Sequence, residues 1–317
     1  MKVLVTGGTG YLGRALVSEL RSRGHEPVVF ARRASQSGLG ATLVDGDVRD
    51  RAAVGAAMRG CDAVCHAAAL VSIWRPDPRE FDAVNVDGLR HVLAAARDLG
   101  VSRVVYTSSF LALPPAGRDV PVRANDYQRT KVEARRVALD AARSGAPLVC
   151  LYPGVIYGPG VRTEGNLVGR LLADRCARRL PGLIGPERTW SFAFVADVAA
   201  GHVAALTLPD VRAEYTLGGD NAPQQRVFEL LQEATGLGPP PRIPYPLASM
   251  IGVAEQWRAR VTGRLPLVTS GTVEIFRHDW PLDSRAAQAD LGYRVTPLAA
   301  GFRALLPEIT RSVDHGR

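Results

Sequence analysis

The sequence predicts a doubly wound α/β fold, and three observations carry that expectation. Short apolar runs alternate with amphipathic stretches through the first half of the 317-residue chain. The runs are apolar throughout, not alternating, as strands of a parallel sheet covered on both faces must be. The hydrophobic fraction, 46%, is enough to bury one large core or two smaller ones.

In order, "KVLVT" reads as the first strand because its apolar side chains are uninterrupted, and "LGRALVSELRSRG" as the amphipathic helix after it. "EPVVFA" and "ATLVDGD" are β-type runs, a helix is expected near residues 51–59, and "DAVCHAA" is the fourth strand. One helix is expected over about 79–99, then the strand "RVVYTSS", then a helix that starts at Asn125 or Asp126, both good caps, and then "PLVCLYPG". After Gly158 the regularity fades: "RTWSFAFV" and "ADVAAGHVAALTL" read as a strand and helix returning to the sheet near 190–217, and "AEYTLGG" as a further strand. The prolines of "GLGPPPRIPYP" break helix and sheet alike, leaving mixed helices and loops beyond them.

A formal charge of +8 and a pI near 9.7 raise the question of nucleic acid. The arginines are dispersed, with only doublets such as Arg32-Arg33, Arg135-Arg136 and Arg178-Arg179, and no aromatic-basic ladder appears, so nucleic acid is not the expected partner. A diffuse positive field favours small anionic ligands instead. Cys61, Cys65, Cys150 and Cys176 lie mostly in apolar runs and read as buried thiols; "CDAVCH" lacks a second ligand pair, so no metal is expected. No apolar run is long enough to span a membrane, and the chain opens directly on its first strand, which together predict a cytoplasmic protein acting on a small molecule.

The first strand runs into "TGGTGYLG" and then a helix. Small residues there let the backbone approach a pyrophosphate, which the free amides and positive dipole of the helix N-terminus then hold, so Gly7, Gly10, Tyr11, Leu12 and Gly13 form the expected phosphate contact. Where an acid would take the ribose hydroxyls of NAD stand Ala31, Arg32 and Arg33, and Arg32 is placed to clasp a 2′-phosphate, which favours NADP over NAD. Asp47 and Val48 are positioned for the adenine ring. Ala67 and Ala68 keep the end of the fourth strand free of bulk, and His66 reads as a satisfied strand-end residue.

Only two of the basic residues are lysines, Lys2 and Lys131. Tyr127 and Lys131, four apart, share one helical face. An ammonium near a phenol stabilises the phenolate; bringing a tyrosine from about 10 to near 7 needs roughly 4 kcal/mol, which two close positive charges can supply. A lysine can also hold ribose hydroxyls that a planar guanidinium holds less well. Ser109, the last hydroxyl of "VVYTSS", is the candidate to orient a substrate oxygen, with Thr107 and Ser108 as alternatives. Asn85 either steadies Lys131 through a water or is a plain mid-helix polar residue.

These motifs, with "GDVRD", "HAAA", "NVDGLRHVL", "YQRTK", "YPGVIYGPG", "FVADVAAGHVAA" and "YTLGGDN" in order, resemble the extended short-chain dehydrogenase/reductases (the NAD-dependent epimerase/dehydratase family). "LYPGVIYGPGVRTEGN" and "RVTGRLPLVTSGTVEIFRHDW" are similar to the dihydroflavonol-reductase-like branch that contains plant farnesol dehydrogenase, an enzyme described as using NAD. The resemblance implies Ser109, Tyr127 and Lys131 as the catalytic set, Pro153 to Val155 beside the nicotinamide, with Tyr152 also in the cofactor site, and a homodimer through a four-helix contact. The element pattern, whose regularity fades after Gly158, predicts a Rossmann domain over residues 1–157 and a mainly substrate-binding lobe over 158–317. Two departures stand out: a short segment between Ser109 and Tyr127, and Ala196 where the family often has an acid before Asp197. The expected activity is alcohol–carbonyl interconversion on an apolar substrate walled by Trp74, Phe110 and Leu111. A sugar-nucleotide epimerase, with Arg162, Arg170 and Arg188 on a diphosphate, and a non-catalytic dinucleotide sensor are the alternatives.

Overall fold

The computed structural model describes residues 1–314. Its strands, in chain order, are β1 (Lys2–Thr6), β2 (Glu26–Ala31), β3 (Thr42–Asp45), β4 (Ala63–His66), β5 (Arg103–Thr107), β6 (Leu148–Pro153), β7 (Val155–Tyr157), β8 (Thr189–Phe194), β9 (Glu214–Leu217) and β10 (Asp220–Pro223). The helices of the first half are α1 (Tyr11–Ser22), α2 (Arg51–Met58), α3 (Arg79–Asp82), α4 (Gly88–Asp98) and α5 (Asp126–Arg143). Those of the second are α6 (Leu167–Cys176), α7 (Val195–Thr207), α8 (Arg226–Thr235), α9 (Tyr245–Thr262), α10 (Ser270–Ile275), α11 (Arg285–Leu291) and α12 (Leu298–Asp314).

Seven strands form a parallel sheet in the order β3-β2-β1-β4-β5-β6-β9, the doubly wound arrangement. Period-2 alternation splits its side chains between two cores. Val3, Val5, Cys65, Val105 and Leu151 meet α1 and α7 through Leu16, Leu20 and Val198, whereas Leu4, Val64, Val104 and Tyr106 meet α2, α4 and α5 through Val54, Leu89 and Ala134. Each fully buried Leu or Val contributes about 1.5–3 kcal/mol, so both faces of the sheet are strongly specified. The strand order reverses between β1 and β4, where Thr6 pairs in register with His66, and the crevice beyond their carboxyl ends is where ligands gather in such sheets.

Two expectations are corrected. Residues 189–194 are a strand, but β8 does not return to the main sheet: it pairs with β7 in parallel and β10 antiparallel in a separate three-stranded sheet. Its Trp190 and Phe192 belong to a third core with Phe228, Trp280 and Phe302, and that burial decides its place. The strand that does join β6 is β9, while α7 packs on α1 as the returning helix. The helix expected over 79–99 is interrupted by a π-helical turn, Ala83–Asp87, which delivers Asn85 to the interior.

Candidate active site

The first turn is built by what it leaves out. Gly7 has φ +71°, and a Cβ there would lie 2.7 Å from the backbone N and Cα of Ala68. A Cβ at Gly13 would drive into the carbonyl of Gly7, so β1, the loop after β4 and the start of α1 are in backbone contact. The Thr6 hydroxyl pairs with His66 Nδ1 at 2.7 Å and accepts from the Ala68 amide at 3.3 Å, tying the ends of β1 and β4 together. No side chain caps α1 and no acid stands in its first turn, so its amides and dipole remain for an anion. The cradle fits a dinucleotide pyrophosphate.

The other residues expected at this end divide by exposure. Tyr11 and Leu12 bury their side chains in the core, the Tyr11 hydroxyl donating to the Gly158 carbonyl at 2.8 Å, so only their backbone faces the crevice. Val48 is likewise buried, and its carbonyl bonds His91 Nδ1 at 2.9 Å. The Asp47 carboxylate folds back on Arg49 at 2.7 Å, and this guanidinium holds it below the usual carboxylate range. Arg32 is exposed at the end of β2 with no hydrogen bond or ion pair from its side chain among the described residues. Sequence reasoning missed Asp45, which accepts from the Ser35 amide at 2.8 Å and hydroxyl at 2.6 Å and fixes the short turn after the arginine pair. Ten residues separate the partners, so no local pattern signals it.

At the other end, α5 starts where the caps predict: the Asn125 side chain accepts from the Gln128 amide at 2.9 Å. Tyr127 and Lys131 then share its inner face. Lys131 is 2% exposed; its Nζ donates to the Thr107 carbonyl at 3.2 Å and stands 5.9 Å from the Tyr127 ring centroid and 5.5 Å from that of Tyr106. Burial lowers the ammonium to about 8. Burial pushes the partly exposed Tyr127 phenol up to about 12, and a hydrogen-bonding interaction with Ser109 pulls it partly back. The expected phenol near 7 is therefore not a property of the protein alone, because Lys131 does not offset the loss of solvation.

The three hydroxyls after β5 are told apart by their partners. Thr107 Oγ1 lies 2.9 Å from His202 Nε2, on the α7 side of the sheet. Ser108 Oγ, Tyr106 Oη and His66 Nε2 are buried with no well-aligned hydrogen bond among the described residues, Ser108 standing beside Tyr106. Ser109 stands beside Tyr127 and accepts from the Leu111 amide at 3.2 Å. His66, stacked on Tyr106 at 5.6 Å, is pushed down to about 3 by burial and by the Lys131 charge, so it is neutral.

Among the described residues Asn85 makes no direct hydrogen bond to Lys131. It accepts from the Leu70 amide at 2.7 Å and donates to Thr130 Oγ1 at 3.0 Å, clamping the loop after β4 to α5 one residue before the lysine. Gln128, overlooked in the sequence, is fully buried and joins the Ala124 amide (3.1 Å) to the Leu111 carbonyl (3.2 Å), bracing the short segment between Ser109 and Tyr127. Tyr152 is not brought to the crevice by its side chain: its hydroxyl donates to Glu214 at 2.7 Å and accepts from Arg135 at 2.9 Å. Pro153 ends β6 and Val155 is buried in β7. Phe110 and Leu111 belong mainly to the third core, Phe110 meeting Trp280 edge-on at 5.5 Å, while Trp74 is partly exposed. Arg162 donates to the Glu308 carbonyl and Arg188 pairs with Asp279 at 3.0 Å, so two of the three arginines considered for a diphosphate are already engaged. Asp197, beside Ala196, accepts from the Thr296 amide at 2.6 Å and anchors the C-terminal segment to α7.

Residues 3–218 match the NAD dependent epimerase/dehydratase family. Over 95% of this chain and 96% of the relative, the sequence is 33% identical to sterol demethylase protein B of Methylococcus capsulatus (strain ATCC 33009 / NCIMB 11132 / Bath). It is 30% identical, over 98% of this chain and 94% of the relative, to a putative dihydroflavonol 4-reductase of Synechocystis sp. (strain ATCC 27184 / PCC 6803 / Kazusa). A UDP-glucose 4-epimerase of Thermus thermophilus, solved in complex with NAD, superposes with a TM-score of 0.75 at 25% identity, covering 98% of this chain and 99% of that one. With the glycine cradle, the Tyr127–Lys131 helix and these matches together, the chain belongs to the NAD-dependent epimerase/dehydratase family of extended short-chain dehydrogenase/reductases and is an NAD(P)-dependent oxidoreductase.

Proposed function

We propose that the protein interconverts an alcohol and a carbonyl on a small apolar substrate, with Tyr127 exchanging the proton, Ser109 holding the substrate oxygen and Lys131 placed for the nicotinamide ribose. The observation that carries this reading is the meeting of Ser109, Tyr127 and buried Lys131 at the carboxyl end of β5. The turn Gly7–Gly13 would hold a dinucleotide, which would supply the hydride acceptor or donor and, when oxidised, a second positive charge. A phenol kept protonated by burial suits donation to a carbonyl oxygen during reduction. In the reverse direction the two positive charges bias it toward taking the proton.

Apolar surroundings support an apolar substrate: Tyr127 packs against the cluster of Phe110, Trp190 and Trp280. The names of the two relatives speak of a sterol, a largely apolar ring system, and of a dihydroflavonol. The exposed Arg32 supports NADP, and Arg32→Ala is expected to raise the KM for NADPH about tenfold with that for NADH unchanged. Four free thiols support a reducing, cytoplasmic setting, and a homodimer through a four-helix contact belongs to the same reading. Among the described residues no helix is long and apolar enough to cross a membrane.

The deciding experiment follows NADPH and NADH oxidation with a panel of apolar ketones and aldehydes. Steady consumption is expected. Cofactor retained through purification, with sugar-nucleotide turnover and no net redox change, overturns the reading in favour of an epimerase.

A further inference from the structure

Helix α9 is built inside out. A surface helix ordinarily turns its apolar stripe to the core. Here the buried residues are the small ones, Ala248, Gly252 and Ala259, with Gly252 seated against the backbone of Thr269 and Ser270. The large apolar side chains stand on the opposite side: Met250 is 71% exposed, Trp257 68% and Val261 71%, with Leu247 and Val253 beside them. Positions 247, 250, 254, 257 and 261 recur at three and four residues, so they form one stripe along the whole helix. Leu265 and Leu267, the latter 81% exposed, continue it into the following loop. Beyond this region, Met1, Leu99 and Val120 are the exposed large hydrophobics among the described residues. Such concentration marks a docking surface.

The margin of the stripe is basic. Residues 240–278 hold five arginines against two glutamates. Arg258 is bound to Glu255, and Arg277 lies over the Tyr245 ring near Glu274, whereas Arg260 and Arg264 are exposed with no ion pair among the described residues. A second copy would cover the apolar stripe but set these arginines against one another. Anionic headgroups above an acyl layer match both features, and the tryptophan in the stripe suits that boundary.

The surface also continues toward the crevice. Gly271, at the start of α10, packs on Ala124 and Asn125, the cap of the helix that carries Tyr127. Tyr245, at the foot of α9, donates to the Phe276 carbonyl at 3.1 Å, and the Phe276 ring lies 4.7 Å from Trp190 in the cluster that Tyr127 touches. We propose that α9 and the loop 263–267 form an interfacial surface that seats the protein on an anionic bilayer, the stripe in the acyl boundary and Arg260 and Arg264 on the headgroups. The crevice then lies near the membrane face, a position from which an apolar substrate need not cross water.

The test is co-sedimentation of the full chain with vesicles of phosphatidylcholine alone or with one-third phosphatidylglycerol, read with tryptophan emission. Trp190 and Trp280 are buried and Trp74 is only partly exposed, so a blue shift that is present in the wild type and lost with Trp257→Glu reports Trp257. Binding to the anionic vesicles, weakened by salt, is expected; Met250→Glu with Trp257→Glu should lower the bound fraction about tenfold, and Arg260→Gln with Arg264→Gln should remove the preference for phosphatidylglycerol. Turnover of a water-soluble carbonyl should not change in either variant. Absence of binding to both vesicles, binding indifferent to the variants, or self-association abolished by Met250→Glu in the absence of lipid binding would overturn the proposal. None of these readouts depends on the reaction, so failure here leaves the proposed activity standing.

Discussion

The two ends of the crevice are held by different physics. The proposed phosphate end is made of backbone against backbone: Gly7 on Ala68, Gly13 on Gly7, with no volume left for a methyl group. The chemical end is made of buried polar side chains whose positions depend on hydrogen bonds, Lys131 on Thr107, Asn85 on Leu70 and Thr130, Gln128 on Leu111. The first can be broken by adding one carbon and the second by removing one oxygen. Substitution at the phosphate end is therefore expected to damage binding and stability together, and at the chemical end to separate turnover from both.

Tyr127→Phe is the largest expected effect. It removes the phenolic hydroxyl and keeps the ring, so kcat should fall by about 10³ while dinucleotide binding, measured by fluorescence titration, stays within a factor of about two. A comparable loss of binding would show that the ends are not independent. Ser109→Ala should lower kcat by about 10², whereas Thr107→Val, which takes a partner from His202, should cost about 1 kcal/mol in denaturant titration with kcat kept. The opposite ranking would hand the substrate oxygen to Thr107.

Gly13→Ala probes the other end. The added methyl meets a carbonyl and cannot be relieved by a rotamer change, so about 1–3 kcal/mol of stability and tens-fold dinucleotide affinity should be lost together. Unchanged affinity would show that the turn is not the phosphate site.

The smallest effect concerns Lys131. Its folded value, about 8, lies below the ordinary 10.5, so between those values the unfolded chain binds more protons and this group's contribution makes stability rise with pH; below 8 its cost is constant. Buried thiols at Cys65 and Cys150, pushed up to about 12, act in the opposite sense above pH 9, so the difference between wild type and Lys131→Met is the quantity to measure. The shift corresponds to roughly 3 kcal/mol, and losing the bond to Thr107 offsets part of it, leaving Lys131→Met about 1 kcal/mol more stable at pH 7. A less stable variant would mean that the ammonium supports the fold as well as the chemistry.

Much of the first half was legible because its signals are local. Uninterrupted apolar strands, a glycine turn directly after β1 and the Asn125 cap each lie within a few residues of what they specify, and the parallel sheet follows from them. What could not be read depends on partners far apart in the chain. Asp45 on Ser35, Tyr11 on Gly158 and Thr107 on His202 leave no spacing to recognise. The place of β8 was missed for the same reason, since a strand's apolar content does not say which sheet will bury it. Tyr152 is implied by the family resemblance, which cannot reveal that Glu214 and Arg135 take its hydroxyl.

By itself the sequence determined the chemistry on offer: a glycine turn that admits a pyrophosphate, and a tyrosine and lysine one helical turn apart, because both are set by residue type and helix geometry alone. Only the tertiary structure decided which hydroxyl faces that tyrosine, how far burial moves the two titrating groups from their ordinary values, and that the apolar stripe of α9 faces outward. Each of these depends on solvent exclusion and on the neighbours that packing supplies, which no stretch of sequence carries.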